Sequence, residues 1–463
     1  MKKYLYFVLA ATVAAALCFS CKGNAEREEG TGEEELSDPN LRLEKPVIKL
    51  VGDGIYSGKP TLLIELVNNN DEPVVADAEV RILTDIGPTL VNVDTVRVKV
   101  PAGASKTLEY TYPGTLDPGF YASRCKVTRR QSEAVNFGID PTQIVSAPDT
   151  VAGEFAKFWQ AGKDQLAAVD SQVDSVEIKS RSSSARKVYF VSMKSVPDSL
   201  GDEPVTIRGY YAKPLGGGKH PVIIHYYPYD SQTPDAALYC PYGGSSNQFA
   251  ELWISHRGQY INNRNDGARA DGQGDFKNTY GDWFAWHFGD RDSWYYRGAM
   301  LDALRAVRFM LSEPTSDPRN FFACGSSQGG ALTYAAAALS NVPFRAIAPN
   351  VAFLGDFPDY FRIVGWPKET AVANQGNLTD AQMYEFLSYF DTKNLATMIP
   401  ASCAVMATIC LQDHTCPPHT NIAPYNNLKT TDKELSFYPY YDHAEPGDWT
   451  AKYLDFFGKR IVE

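Results

Sequence analysis

NFFACGSSQGGALTYAAAALS, residues 320 to 340, reads as a strand, a sharp turn and a helix in immediate succession. NFFAC is a short apolar run suited to a buried strand, and GALTYAAAAL is rich in the strong helix formers Ala and Leu. Between them Gly325 and Gly329 stand two residues either side of Ser327, the frame G-x-S-x-G. In that frame the serine sits on a strained strand-to-helix turn, and glycine neighbours let other backbone come close. Ser326 falls outside the frame. A strand that delivers Ser327 at its carboxyl end places it where open parallel sheets bind ligands. The helix that follows turns its unpaired N–H groups toward any anion formed there. Ser327 is therefore the candidate nucleophile.

The flanks extend the same pattern. PVIIHYY (221–227) and ELWISHR (251–257) are apolar runs of the kind buried on both faces of a sheet, and SWYYRGAMLDALRAVRFML (293–311) has helical core spacing. RAIAPN, CAVMATICL and ELSFYPY read as further strands, and WTAKYLDFFGKRIV as a last amphipathic helix. Alternating β and α segments imply a doubly wound, mostly parallel α/β sheet over residues 141–463. Residues 43–140 differ: TLLIELV, AEVRIL, VDTVRVKV, TLEYTY and GFYASRCKVTR alternate with period two between Gly, Pro and Asn turns. That spacing predicts a small antiparallel, immunoglobulin-like sandwich. It holds no titratable cluster, so it reads as a spacer or as a sugar-binding or packing module.

A serine hydroxyl needs a base to take its proton, and imidazole titrates near working pH. In α/β-hydrolase order the acid and then the histidine follow the serine, which leaves His414, His419 and His443 of the seven histidines. His443, in YYDHAEPGDW, lies between the last strand and the last helix, in a loop that overhangs the nucleophile's edge of the sheet. His414 and His419 read as exposed loop residues. Asp413 is the first carboxylate after CAVMATICL and the candidate acid that orients the imidazole; Asp442 and Glu445 are the alternatives. The oxyanion donors expected are the N–H of Gln328 and a main-chain N–H near Tyr229, since Pro228 has none to offer.

A net charge of −11 over 463 residues, with no basic stripe, argues against a nucleic-acid partner. Lys2 and Lys3 before the apolar run Tyr4–Phe19 read as a signal peptide over residues 1–20. Its end, LCFSC, resembles a bacterial lipoprotein signal, with Cys21 the lipidated residue and Cys18 the weaker candidate. Residues 21–42 are acidic, poor in large apolar groups and read as a disordered tether. These features place the protein at a bacterial cell envelope, lipid-anchored, on the periplasmic or outer surface. Cys125, Cys240, Cys324, Cys403, Cys410 and Cys416 show no C-x-x-C metal or redox spacing. Cys410 and Cys416 are either a local disulfide or, as the sparse spacing favours, separate thiols.

EFAKFW, PVIIHYYPYD, Arg257-Gly258-Gln259, YYRGAMLDALRAV, GSSQGGALTYAAAALS, LQDHTCPPHT and FYPYYDHAE occur in this order. With them the chain resembles the acetyl xylan esterase and cephalosporin C deacetylase family, carbohydrate esterase family seven, over about residues 150–463. The resemblance implies an α/β-hydrolase fold and a Ser327, Asp413, His443 triad with Tyr229 and Gln328 at the oxyanion. It further implies deacetylation of small acetylated saccharides such as xylo-oligosaccharides without metal or other cofactor, and a homo-oligomer of ring-like hexameric form. Asp230-Ser231-Gln232 replaces the family's glycine-rich stretch, Tyr260 its glycine after Arg-Gly-Gln, and Asp442-His443-Ala444 its Gly-His-Glu. Arg257 reads as a loop-pinning residue, with substrate binding as the alternative. Trp283, Phe284, Trp286 and Phe288 read as a lid or subunit contact, or as a surface that stacks on sugars. The rival functions are a peptidase or a bulkier-ester hydrolase on the same scaffold, and a tethered sugar-binding protein with a vestigial site.

Overall fold

A computed structural model describes residues 35–149, 152–199, 202–229, 248–259 and 282–463. The leader, Cys21, the tether up to residue 34, Asp230-Ser231-Gln232, Cys240, Tyr260 and the loop that follows it to residue 281 lie outside the described residues.

The amino-terminal strands are β1 (Val47–Leu50), β2 (Ile55–Tyr56), β3 (Thr61–Val67), β4 (Val74–Thr84), β5 (Leu90–Val100), β6 (Ser105–Thr111), β7 (Gly119–Val127), β8 (Arg130–Gln131) and β9 (Val135–Ile139). They form a β1-β3-β6 sheet and a β2-β9-β7-β4-β5 sheet, with β8 paired to β7. Alternation decides the packing: Leu62, Ile64 and Leu66 of β3 and Ala78, Val80 and Ile82 of β4 are fully buried in a common core.

Downstream come α1 (Ala152–Ala168), β10 (Asp174–Glu177), β11 (Arg186–Pro197), β12 (Pro204–Pro214), β13 (His220–Tyr226), β14 (Ala250–Ile254), α2 (Tyr295–Ser312), β15 (Ser316–Ser326), α3 (Gln328–Leu339) and β16 (Phe344–Asn350). Then follow α4 (Phe357–Ile363), α5 (Gly365–Asn374), α6 (Asp380–Ser388), α7 (Thr392–Ala396), β17 (Ala404–Cys410), α8 (Pro418–Asn426), β18 (Lys433–Tyr438) and α9 (Trp449–Gly458). The sheet order is β10-β11-β12-β14-β13-β15-β16-β17-β18, and every pair from β14 to β18 is parallel. The α/β expectation holds. What it did not contain is the antiparallel edge, β10 to β12, which pairs onto β14.

Strand β15 shows why both sheet faces are covered. Phe321 and Ala323 join the large core, whereas Phe322 and Cys324 pack on the other face with Trp449, Tyr453 and Phe457 of α9. Helix α3, apolar on every side, is buried along its whole length. No described helix is long and apolar enough to cross a membrane.

The sandwich is docked on the α/β unit rather than hung from it. Gln412 donates from Nε2 to the Asn136 carbonyl (3.0 Å) and accepts the Asn136 N–H at Oε1 (2.9 Å). The Leu50 N–H donates to the Tyr440 hydroxyl (2.8 Å), and in the segment just after the sandwich the carbonyls of Pro141 (3.0 Å) and Ile144 (2.9 Å) accept from Asn426 Nδ2. Phe120, on the outer side of β7, meets the His419 ring edge-on at 6.4 Å. His419 is buried on α8, against the expectation of an exposed loop histidine, because it bridges carboxylates of both units: Nδ1 lies 3.3 Å from Asp85 and Nε2 3.3 Å from Asp359. Burial alone would lower its pKa, but the two carboxylates outweigh burial and raise it to about 9. A raised folded-state pKa stabilises most below the ordinary imidazole value of about 6.5, and that contribution is lost as pH rises through about 9. The contribution amounts to roughly 3 kcal/mol. The expected result is a thermal midpoint for His419→Gln below that of the parent at pH 6, with the gap closing by pH 10. A gap constant across that range refutes the ion-paired staple.

Candidate active site

Ser327 stands between β15 and α3 at φ 57° and ψ −121°, a backbone state that non-glycine residues rarely adopt. Three backbone hydrogen bonds hold it there. Its N–H donates to Asn350 (3.0 Å), and its carbonyl accepts from Phe353 (2.9 Å) and Ala331 (3.1 Å). The frame's glycines are needed for space. A Cβ on Gly329 would stand 2.0 Å from the Tyr226 carbonyl oxygen, and one on Gly325 2.5 Å from that of Gly329. Strand β13 therefore passes directly against the turn. Ser326 faces elsewhere: its hydroxyl donates to Glu445 (2.6 Å) and accepts from Asn350 Nδ2 (2.9 Å).

His443 lies in the loop after β18, with Nδ1 2.8 Å from Asp413 Oδ2. The other oxygen of Asp413 accepts the N–H groups of Thr415 (2.8 Å) and Cys416 (2.7 Å), so the buried carboxylate is held on both sides. Asp442 instead accepts the backbone N–H groups of His443 (2.8 Å) and His414 (3.1 Å), and Glu445 is occupied by Ser326. Of the three carboxylates, only Asp413 is bonded to the His443 ring. His414 is exposed and sits beside Asp442.

Ser327 and His443 line one cavity of about 390 Å³, together with Tyr229, Phe284, Phe353 and Trp366. Burial pushes the Cys416 thiol, near Ser327, well above its ordinary pKa, so it stays neutral. Cys410 and Cys416 are separate buried thiols, as are Cys125, Cys324 and Cys403.

The Gln328 N–H opens α3, where a helix leaves its first donors without intrahelical partners. Its side chain is pinned, with Oε1 accepting from Gln259 Nε2 (3.1 Å) and from the Tyr296 hydroxyl (3.3 Å). Gln259 also donates to the Tyr295 hydroxyl (2.7 Å), which donates to the Arg257 carbonyl (3.1 Å). Arg257 is buried away from the cavity. It forms a two-pronged pair with Asp302 (2.9 and 2.7 Å) and donates to the Val196 carbonyl (3.1 Å). Its guanidinium lies on Gly298, where a Cβ would approach Cζ to 2.3 Å. Gly258, at φ 73°, makes the turn between these two residues. The triplet thus braces the residue after the nucleophile.

Trp283, Phe284, Trp286 and Phe288 are buried among Tyr295, Trp294 and Phe386 rather than exposed, and of the four Phe284 alone lines the cavity. The exposed tryptophan is Trp366, at 39%, stacked on Phe353 with ring centroids 6.0 Å apart; the other six are buried. Nothing in its local pattern, GWPKETAVAN, distinguishes it from a core tryptophan. Among the described residues, Asp356, Asp359 and His419 lie close enough together to hold a metal ion. Lys393 (2.9 Å from Asp356) and Arg362 (3.0 Å from Asp359) already supply positive charge there.

A strained serine with a histidine–aspartate pair on the same cavity is the layout of a serine hydrolase. Residues 146–460 match the acetyl xylan esterase (AXE1) family. The chain belongs to that family. This acetyl xylan esterase family member is 25% identical over 356 residues to the acetyl esterase Axe7A of Xylanibacter ruminicola, covering 73% of each chain. It is similar in structure to the acetyl xylan esterase from Paenibacillus sp. R4, with a TM-score of 0.56 and 25% identity over 68% of this chain and 97% of that one. Acetyl xylan esterase 1 from Thermoanaerobacterium sp. JW/SL YS485 is matched with a TM-score of 0.54 and 25% identity over 69% of this chain and 96% of that one. Membership makes this chain a carboxylic ester hydrolase with the α/β-hydrolase fold.

Proposed function

We propose that this family member removes acetyl groups from small acetylated saccharides through Ser327, His443 and Asp413. The observation that carries the reading is the 2.8 Å contact of His443 Nδ1 with Asp413, on a ring that shares a cavity with Ser327. Asp413 keeps a proton on Nδ1 and leaves Nε2 free to accept the Ser327 proton as Oγ attacks the acyl carbon. The N–H groups of Gln328 and Tyr229 receive the oxyanion of the tetrahedral intermediate, and one such donor is worth about 3 kcal/mol in the transition state. The imidazolium then protonates the sugar oxygen as its bond to the acyl carbon breaks, which releases the sugar with a free hydroxyl. Water, activated by the same imidazole, attacks the acetyl-serine and releases acetate.

The walls support acetyl specificity. Phe284, Tyr296 and Phe353 line the cavity and pack on one another at 5.8 to 6.3 Å, which leaves little room for a long acyl chain to displace them. The test compares p-nitrophenyl acetate, p-nitrophenyl octanoate and a prolyl amide. The expected kcat/KM for acetate exceeds that for octanoate at least tenfold, about 1.4 kcal/mol of discrimination, with no amide cleavage. Preference for octanoate or for the amide overturns the acetyl assignment in favour of the bulkier-ester or peptidase reading.

A further inference from the structure

The docked sandwich and the α/β unit enclose a second cavity of about 350 Å³, within the usual size range of small-ligand sites. It stands back to back with the Ser327 cavity. Val364 and Gly365 line it while the next residue, Trp366, lines the other; His414 lines it while Thr415 lines the other. Asp413 belongs to its wall as well. The ridge between the two carries the exposed Trp366 and the exposed His414.

The sandwich side of this cleft is set by strand alternation. Tyr121, Ser123 and Cys125 of β7 point into the sandwich core, so Ala122 and Arg124 point out. Asn136 of β9 pairs directly with Ala122 and shares that outer face. Arg124 makes no hydrogen bond or ion pair among the described residues, and Glu133, the carboxylate that feels its charge, is itself paired with Lys45. The Asn136 main chain is bound to Gln412, whereas its side-chain amide has no partner among the described residues. Of the two acids that line the cleft, Asp85 is taken by His419 and Asp413 by His443. The cleft therefore offers planar hydrogen-bonding groups opposite the apolar surface of Ile363, Pro417 and Pro418. Sugar rings match that arrangement, having hydroxyl edges and apolar faces, and an exposed indole beside it suits stacking.

We propose that this interdomain cleft is a subsite for the saccharide chain of the substrate. The acetyl group enters the Ser327 cavity while the chain passes over Trp366 and His414 to the outer face of the sandwich. The inference rests on the acetylesterase reading for its substrate class, and it makes the amino-terminal domain part of the substrate site.

The test uses the intact protein and the double variant Arg124→Ala/Asn136→Ala. The expected kcat/KM on acetylated xylohexaose falls at least tenfold, mainly through KM, while that on p-nitrophenyl acetate stays within twofold. Equal losses on both substrates, or none on the hexaose, overturn the subsite. Calorimetric titration of Ser327→Ala with deacetylated xylohexaose gives a readout free of turnover. Binding should weaken tenfold or more when the two cleft substitutions are added, and an unchanged or absent signal also refutes the subsite. If the parent cleaves p-nitrophenyl acetate but no acetylated saccharide, the proposed substrate class fails instead, and the titration still decides the cleft.

Discussion

Ser327→Ala is expected to lower kcat on p-nitrophenyl acetate by about a millionfold, with the thermal midpoint within a few degrees of the parent. The size follows from the role: without Oγ there is no acyl-enzyme, and what remains is binding and oxyanion stabilisation of attack by water. The fold should survive because the elbow is held by backbone hydrogen bonds to Asn350, Phe353 and Ala331, none of which uses the side chain. Ser326→Ala is the matched control. Its hydroxyl bonds to Glu445 and Asn350, so its loss should cost stability and leave most of the turnover. If Ser327→Ala keeps more than a hundredth of the parent rate, the nucleophile assignment is wrong, and the vestigial, sugar-binding reading gains ground.

Asp413→Asn is expected to lower kcat by about ten thousandfold. The amide oxygen can still accept the N–H groups of Thr415 and Cys416, so the loop keeps its shape. Its NH2 then faces His443 Nδ1 and forces the proton onto Nε2, the atom that must accept from Ser327. Asp442→Asn and Glu445→Gln touch the backbone of His443 and the hydroxyl of Ser326, and each should stay within about tenfold of the parent, the scale of one lost hydrogen bond. A rate for Asp442→Asn or Glu445→Gln as low as that of Asp413→Asn would move the acid to that residue.

Legibility varied along the chain with the range of the forces involved. The sandwich strands and the parallel strands were visible because burial of one or both faces writes a period into neighbouring residues, as in TLLIELV and CAVMATIC. The antiparallel strands β11 and β12 were not, because RKVYFVSMKSVP and PVTIRGYYAKP mix burial on both faces and lack a regular period. Helices α4 to α7 were missed for a related reason, being short and packed against several neighbours, which blurs a single apolar stripe. The aromatic run at Trp283 looked like a surface feature, yet its rings are covered by α2 and α6, which are remote from one another in the chain.

By itself the sequence determined the elbow, since only Gly at positions 325 and 329 leaves room for β13 against the turn, and that requirement is local and spelled out in adjacent residues. It also narrowed the histidine and carboxylate to a few loop positions by chain order. Chain order also favoured Asp413 over Asp442 and Glu445, but its contact with the imidazole is a tertiary outcome, as are the exposure of Trp366 beside Ser327 and the seating of the sandwich against Gln412. Those outcomes depend on the directions of side chains brought together across tens to hundreds of residues, and hydrogen bonding is short-ranged and directional, so no one-dimensional pattern encodes them.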